Sequence, residues 1–317
     1  MKKLVSLVLA LMLCLSCVSA LAAEAWTVTC PWAPSGVAAM VNQKAASLST
    51  TYSQDYVLVA NAEKGDTATI NSWLTKYTEA DPQMCFIGEG MFGITAILDP
   101  ERMNFTYDDF KYVENLYSSI FVASARKELG ITSIDALKAY LEEGNQIMVG
   151  TNGATGSEAF LAAALIGAMG YGDQFYLIPY ESAAEAAQAV ARGEVDIAVS
   201  HQSQILETWQ QGGVDVFAAF DGEPIAQGPF KGVEGVGQYG YPYFRNRCFI
   251  FAKAGADEQK IADLKALYAQ ILTDEEMVDW LNNTMLLEAD MMTEEEVIAH
   301  IDNVKNIVEE YYDLVAE

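Results

Sequence analysis

Gln146-Ile147-Met148-Val149-Gly150-Thr151-Asn152-Gly153-Ala154-Thr155-Gly156-Ser157-Glu158-Ala159-Phe160 decides how this chain is read. The first four residues form an apolar run of buried-strand length, and residues 157–169 have the composition of a helix. Between them stand three glycines with the hydroxyl and amide side chains of Thr151, Asn152 and Thr155. A strand-to-helix turn of this composition leaves N–H groups free at a helix start, where the peptide dipoles also favour negative charge. Small residues let a ligand approach the backbone closely. The loop is read as an anion acceptor. A glycine-rich turn that only starts its helix has the same composition, so the loop alone does not separate the two.

The same rhythm extends in both directions. Downstream, residues 175–178 lead into Pro179-Tyr180-Glu181-Ser182, an Ala-rich helix over 183–191 ends at Gly193, and residues 195–199 lead into Ser200-His201-Gln202. Upstream, a strand at 26–30 runs into Pro31-Trp32-Ala33-Pro34-Ser35-Gly36 and a helix over 37–48. A strand at 56–60 runs into the Asn61 turn and a helix over 67–78, and a strand at 84–87 closes at Gly88-Glu89-Gly90. Residues 121–124 and 248–252 are further apolar segments. Helices are expected over 133–142, with Thr132 or Ser133 as cap, and over 258–272, 274–282 and 293–315. Alternating strands and helices predict a largely parallel α/β sheet covered on both faces, with ligands beyond the carboxyl ends of its strands. Two α/β lobes, with the chain crossing between them twice, is the simplest arrangement of this pattern.

The amino-terminal residues carry an address. Lys2-Lys3, an apolar run over 4–15 and Ala20-Leu21-Ala22 have the layout of a signal peptide cleaved after Ala22, too short to span a bilayer. Leu15-Ser16-Cys17 resembles the end of a lipobox, so a lipid anchor at Cys17 is the rival processing. About 295 residues remain, enough for two domains. The formal net charge of −26 argues against nucleic-acid binding, since phosphate would be repelled over the whole surface. Cys30, Cys85 and Cys248 each sit in an apolar run and are expected as buried thiols. No Cys/His spacing resembles a metal site, and no cofactor is expected.

Taken in order, Tyr107-Asp108-Asp109-Phe110, Gly150-Thr151-Asn152-Gly153-Ala154-Thr155-Gly156-Ser157, Pro179-Tyr180-Glu181-Ser182 and Gly193-Glu194-Val195-Asp196 resemble the substrate-binding proteins of tripartite tricarboxylate transporters. The stretch from Pro31 to Gly36 and the Asn61 turn match more weakly. The resemblance implies a periplasmic-binding-protein type II fold, with lobe 1 at 23–124 plus 221–317 and lobe 2 at 125–220. It further implies an exported, monomeric receptor that closes on a small organic anion, a mono-, di- or tricarboxylate, and delivers it to a membrane permease. The chain departs from the family's pattern at Ala39, Gln43 and Ser200, which stand where acidic or basic residues are usual, at Pro34-Ser35-Gly36 in place of Pro-Gly-Gly, and at the Asn61 turn, where Glu63-Lys64-Gly65-Asp66-Thr67 replaces Pro-Gly-Ala-Gly-Gly.

The expected ligand-binding residues are Pro34, Ser35, Gly36, Val37, Gly88, Thr151, Asn152, Gly153, Thr155, Gly156, Ser157, Tyr180 and His201. Glu89 and Lys64 are expected on the surface, and Asp196 in a structural turn. The candidate loops contain no Arg or Lys, so an anion would be gripped by helix starts and hydroxyls. Two other function classes share these features. One is the binding component of a membrane sensor. The other is an enzyme pairing Cys30 or Cys85 with His201, which apolar surroundings would disfavour by raising the thiol pKa.

Overall fold

In the computed structural model, which describes residues 23–153 and 156–315, the βα rhythm builds two separate five-stranded sheets. The expected leader, Cys17 and Thr155 lie outside the described residues. The strands are β1 (Glu24–Cys30), β2 (Tyr56–Ala62), β3 (Gln83–Gly88), β4 (Phe110–Ser119), β5 (Phe121–Arg126), β6 (Ile147–Asn152), β7 (Phe175–Tyr180), β8 (Ile197–His201), β9 (Val214–Ala219) and β10 (Asn246–Lys253). The first sheet has the order β2-β1-β3-β10-β4, and the second β7-β6-β8-β5-β9.

Each sheet is parallel only where βα units built it. β1 pairs in parallel with β2 and β3, and β6 with β7 and β8. The remaining pairings, β3–β10–β4 and β8–β5–β9, are antiparallel, which amends the expectation of a largely parallel sheet. The reason lies in the crossings. β10 reaches its sheet only after the chain has built the other one, and β5 enters straight from β4 through Ile120 alone. Neither strand arrives through the helical crossover that a parallel neighbour requires.

Alternation within the strands builds a core on each face. In the first sheet Met84, Phe86 and Ile250 face the long helices α1 (Val37–Tyr52) and α7 (Glu258–Leu272), meeting Val41, Ala45, Leu264 and Tyr268. Cys85, Ile87, Phe249 and Phe251 face the other way, toward Ile70 and Trp73 of α2 (Thr67–Lys76) and a cluster of Phe92, Phe105 and Phe110. The second sheet packs Val149, Phe121 and Val199 against α3 (Ile134–Glu142) and α4 (Ser157–Ala168). Its opposite face lies against Ala186 and Val190 of α5 (Ala183–Ala191) and Ile205 of α6 (Gln202–Gln210). The last long helix, α8 (Glu294–Glu310), spans both cores: Val297 and Ile301 pack in the first, Val304 and Val308 in the second.

Local chemistry sets several of these ends. Ser133 is the cap of α3, its hydroxyl accepting from Ala136 N–H at 3.1 Å. Asp196 is structural as expected: it accepts from Met148 N–H at 2.8 Å and pairs with Arg126 at 2.8 Å, tying β8 to β6 and β5. Cys30, Cys85 and Cys248 are free and buried. Among the described residues no helix is long and apolar enough to cross a membrane.

Candidate functional site

Strands β1, β2, β3, β6, β7 and β8 all end at one cavity of about 690 Å³ between the two sheets. The first sheet contributes Trp32, Gly36 and Val37 after β1, Lys64, Gly65 and Asp66 after β2, and Gly88 at the end of β3 with Glu89, Gly90 and Met91 beyond it. The second contributes Asn152, Gly153, Gly156, Ser157 and Glu158 at and beyond the end of β6, Pro179, Tyr180, Glu181 and Ser182 at and beyond the end of β7, and His201 and Gln204 at and beyond the end of β8. Asn246 and Cys248 of β10 also line it.

Nine of the expected residues therefore line the cavity: Gly36, Val37, Gly88, Asn152, Gly153, Gly156, Ser157, Tyr180 and His201. Pro34 and Ser35 do not. Gly36 N–H donates to Ala33 C=O at 2.8 Å, and this tight turn throws Pro34 and Ser35 outward into solvent. Thr151 is also displaced from the expected role. Its side chain is fully buried, and its hydroxyl donates to Gly153 C=O at 2.7 Å, holding a turn in which Gly153 has φ +74°. Gly150 serves packing: a Cβ there would stand 3.1–3.4 Å from Val195, Ala186 and the ring of Tyr180.

Glu89 overturns its expected place on the surface. It is 0 % exposed, and its carboxylate accepts from Ser157 Oγ and Asn246 Nδ2, each at 2.9 Å, and from Arg247 N–H at 2.8 Å. Burial pushes its pKa up, and these donors pull against that shift. The hydroxyl of Ser157, expected to hold a ligand, is thus committed to a carboxylate of the protein. Lys64 is half-exposed but reaches the cavity rim, where it meets Glu181 at 2.8 Å and links a loop of the first sheet to one of the second.

Two more lining residues escaped the sequence reading. Arg102 comes from a short turn following the β3 loop and lies 3.3 Å from Asp66 and 3.8 Å from Asp99. Glu158, on the first turn of α4, is 5 % exposed. Burial pushes its carboxyl up to about 7, its own N–H and Asn152 hold it down, and Glu89 and Asp66 push it further up.

His201 is 8 % exposed, with Nδ1 2.8 Å from Ser119 Oγ and its ring centroid 4.7 Å from that of Phe121. Burial drives its pKa down to about 3, so it is a neutral ring. Trp32 walls the opposite side, its ring 3.4 Å from where a Cβ on Gly88 would stand. Among the described residues no cluster of His, Cys, Asp and Glu could hold a metal ion.

Several helix starts ring the cavity, and they are not equivalent. Ser182 caps α5, accepting from Glu185 N–H at 3.2 Å, and Gln204 folds back to accept from His201 N–H at 3.3 Å. α1 begins at Gly36 with no side-chain cap and no acid in its first turn. Its sequence, Val37-Ala38-Ala39, offers backbone N–H groups and no competing acceptor.

Over residues 54–307 the chain matches the model of the tripartite tricarboxylate transporter family receptor. It belongs to that family. No relative is matched among curated proteins. Among solved structures, the receptor resembles MatC of Rhodopseudomonas palustris with bound malate at 17% identity and TM-score 0.75, covering 92% of this chain and 98% of that one. It also resembles Rpa4515 of R. palustris with adipate at 15% identity and TM-score 0.80, covering 92% and 96%. The periplasmic binding protein BugD is similar at 16% identity and TM-score 0.78, covering 92% and 98%. At these identities the likeness establishes the fold.

Proposed function

We propose that the protein is an extracytoplasmic solute-binding receptor that captures a small organic acid in the cavity between its sheets and hands it to a tripartite transporter's membrane permease. The observation that carries this reading is the convergence of helix starts from both sheets on one cavity. The family match and the organic acids bound by the two R. palustris neighbours support it. The leader read in the sequence fits export, and the receptor acts as a monomer.

The two sheets supply the two lobes, hinged where the chain crosses between them, at Ile120 before β5 and near Arg245 before β10. The expected boundaries at 124 and 220 move, because residues 121–124 belong to β5 of the second sheet and Ile225, Phe230 and Phe244 pack in its cores. Ser157–Glu89 and Lys64–Glu181 are bonds between the sheets across the cavity, of the kind that closure makes and opening breaks. Acyl-transfer chemistry fits poorly. Burial pushes the Cys30 thiol up to about 12 and Cys85 well above its ordinary value, so thiolate is scarce, while His201 at about 3 is a weak base.

Mass spectrometry of small molecules released from the purified, denatured protein tests the reading, with an organic acid as the expected product. Small-angle scattering should show compaction on adding that acid. Turnover of the acid, or tight binding with no compaction, would overturn it.

A further inference from the structure

The angle between the two sheets is held by charges that lie outside the cavity's lining. We infer that Arg245, Asp221 and Glu288 form an ionic strap over the hinge that favours the closed arrangement, so that affinity is tuned by residues that do not touch the cargo.

The strap sits where the chain crosses. Arg245 directly precedes β10, whose Asn246 pairs with Ser119, and Ile120 lies between Ser119 and β5. Its guanidinium donates through Nη1 to Glu288 at 2.7 Å and through Nη2 to Asp221 at 2.8 Å. The two acids belong to different lobes. Glu288 is tied to β4 by two backbone bonds with Ser118, at 2.9 and 3.1 Å, and Leu287 beside it packs in the first sheet's core. Asp221 follows Phe220, whose N–H donates to Phe121 C=O of β5 at 2.9 Å and whose ring packs in the second sheet's core. One planar fork thus joins an acid of each lobe across the pivot.

Arg247, two residues on, gives the contrast. It donates to Asp290 at 2.7 Å, and its Nη1 lies 3.1 Å from His300 Nδ1. Asp290 C=O accepts from Asn115 of β4, and His300 precedes Ile301, which packs against the first sheet. Rotation about the crossings leaves these contacts together. The same rotation changes the separation of Asp221 and Glu288, which the Arg245 fork fixes.

A cavity of about 510 Å³ lies against the strap, with Asp221, Tyr241 and Phe244 on the second sheet's side and Arg247 and His300 on the first's. Its walls can move relative to each other without forcing a close-packed core. The strap's bonds are made in the arrangement that also joins Ser157 to Glu89 and Lys64 to Glu181 across the binding cavity, so they weigh toward closure. Its ends are unequal. The side chain of Asp221 is 16 % exposed and that of Glu288 55 %, so the Glu288 end is the more screened and parts more easily.

Small-angle scattering of the ligand-free protein tests the strap without any cargo. Glu288→Gln and Asp221→Asn should each have a larger radius of gyration than wild type, with Asp221→Asn the larger of the two. Calorimetry with succinate, glutarate and adipate reads the consequence, which rests on the receptor reading. An acid that binds wild type should bind Glu288→Gln about threefold and Asp221→Asn about tenfold more weakly, because less of the protein is poised to close. Urea denaturation checks that the variants are folded, and the exposed Glu288 keeps the test available if Asp221→Asn does not fold. An unchanged radius in folded Glu288→Gln would overturn the inference. A larger radius with unchanged affinity would overturn its effect on binding. If no organic acid is released from the purified protein and none of the three binds, the receptor reading falls, while the scattering comparison still decides the strap.

Discussion

The starts of α1 and α4 have the same local construction and opposite chemistry. Each follows a strand, each has a glycine N-cap in extended geometry (Gly36 at φ −71°, ψ 151°; Gly156 at φ −79°, ψ 173°), and neither has a side-chain cap. At α1 the first turn is apolar and open to the cavity. At α4 the first turn carries Glu158, and Ser157 reaches across to Glu89. A glycine-rich strand-to-helix turn therefore does not declare whether its dipole is offered to a ligand or already satisfied by the fold. In the stretch that most resembles an anion loop in sequence, the hydroxyl at the helix start already meets an acid of the protein.

The largest effect expected from this contrast is at Glu89. Replacing it by Ala leaves the Ser157 hydroxyl, the Asn246 amide and the Arg247 N–H facing no acceptor in a buried place. Stability should fall by roughly 3–5 kcal/mol, measured by urea denaturation. A loss below about 1 kcal/mol would mean that the network does not hold the two sheets together as drawn.

Glu158 comes next, and its effect has a pH signature. Its folded-state pKa of about 7 lies above its ordinary 4.5, so the folded protein holds the proton more tightly than the unfolded chain. The stability that this contributes is complete below about pH 4.5 and is lost as pH rises through about 7. In ligand-free protein Glu158→Gln should therefore be more stable than wild type at pH 8, by about 2–3 kcal/mol, with the difference closing toward pH 4.5. Subtracting the two denaturation profiles isolates this carboxyl from His201 and His300. Those two, buried and neutral with pKa values near 3, act with the opposite sign as pH falls. A flat difference profile would place Glu158 in water and not in the wall of the cavity.

These two carboxylates also mark where sequence stops being legible. Periodicity located β1, β3, β6 and α5, and the quoted motifs were enough to identify the family. Such signals are local, set by neighbours within a strand or a helical turn. The surroundings of Glu89 are not. Its donors are Ser157, 68 residues away, and Asn246 and Arg247, 157 and 158 residues away. Read alone, Gly88-Glu89-Gly90 is an exposed loop with an acid in it. Pro34 and Ser35 mislead in the other direction, since turn-forming residues at a strand end suit both a binding loop and the outside of a tight turn. β4 shows a third limit: its Lys111, Glu114 and Asn115 break the apolar alternation, yet Glu114 and Asn115 are buried through bonds to Tyr112, Tyr117, Asp290 and Met292.

A smaller effect, on binding and not on folding, tests the α1 half of the comparison. Gly36→Asp would give α1 the acid that α4 already has. The backbone at Gly36 is open to any residue, although a Cβ would stand 3.0 Å from Ala33 C=O and require that carbonyl to shift slightly. Stability should stay within about 1 kcal/mol, because an N-cap is gained against that crowding. Affinity for the retained ligand should fall by about thirtyfold as the helix start fills with the protein's own charge. Unchanged affinity in calorimetry would remove α1 from the binding site.

The smallest effect is expected at Lys64, the cation a charge-based reading would choose first. It stands on the cavity rim, but its ammonium is engaged with Glu181 and its side chain is more than half exposed. A solvent-exposed pair of this kind is strongly screened, and its main consequence is to hold two loops near each other when the sheets close. Lys64→Ala should therefore change affinity by less than about threefold, and that change should vanish at high salt. The comparison with Gly36→Asp decides how charge is held in this receptor. If the anionic end of the ligand rests on backbone N–H groups at α1, affinity follows the Gly36 substitution and ignores Lys64. A large loss with Lys64→Ala and none with Gly36→Asp would mean that the lysine leaves Glu181 for the ligand, and that the open helix start is only a feature of the fold.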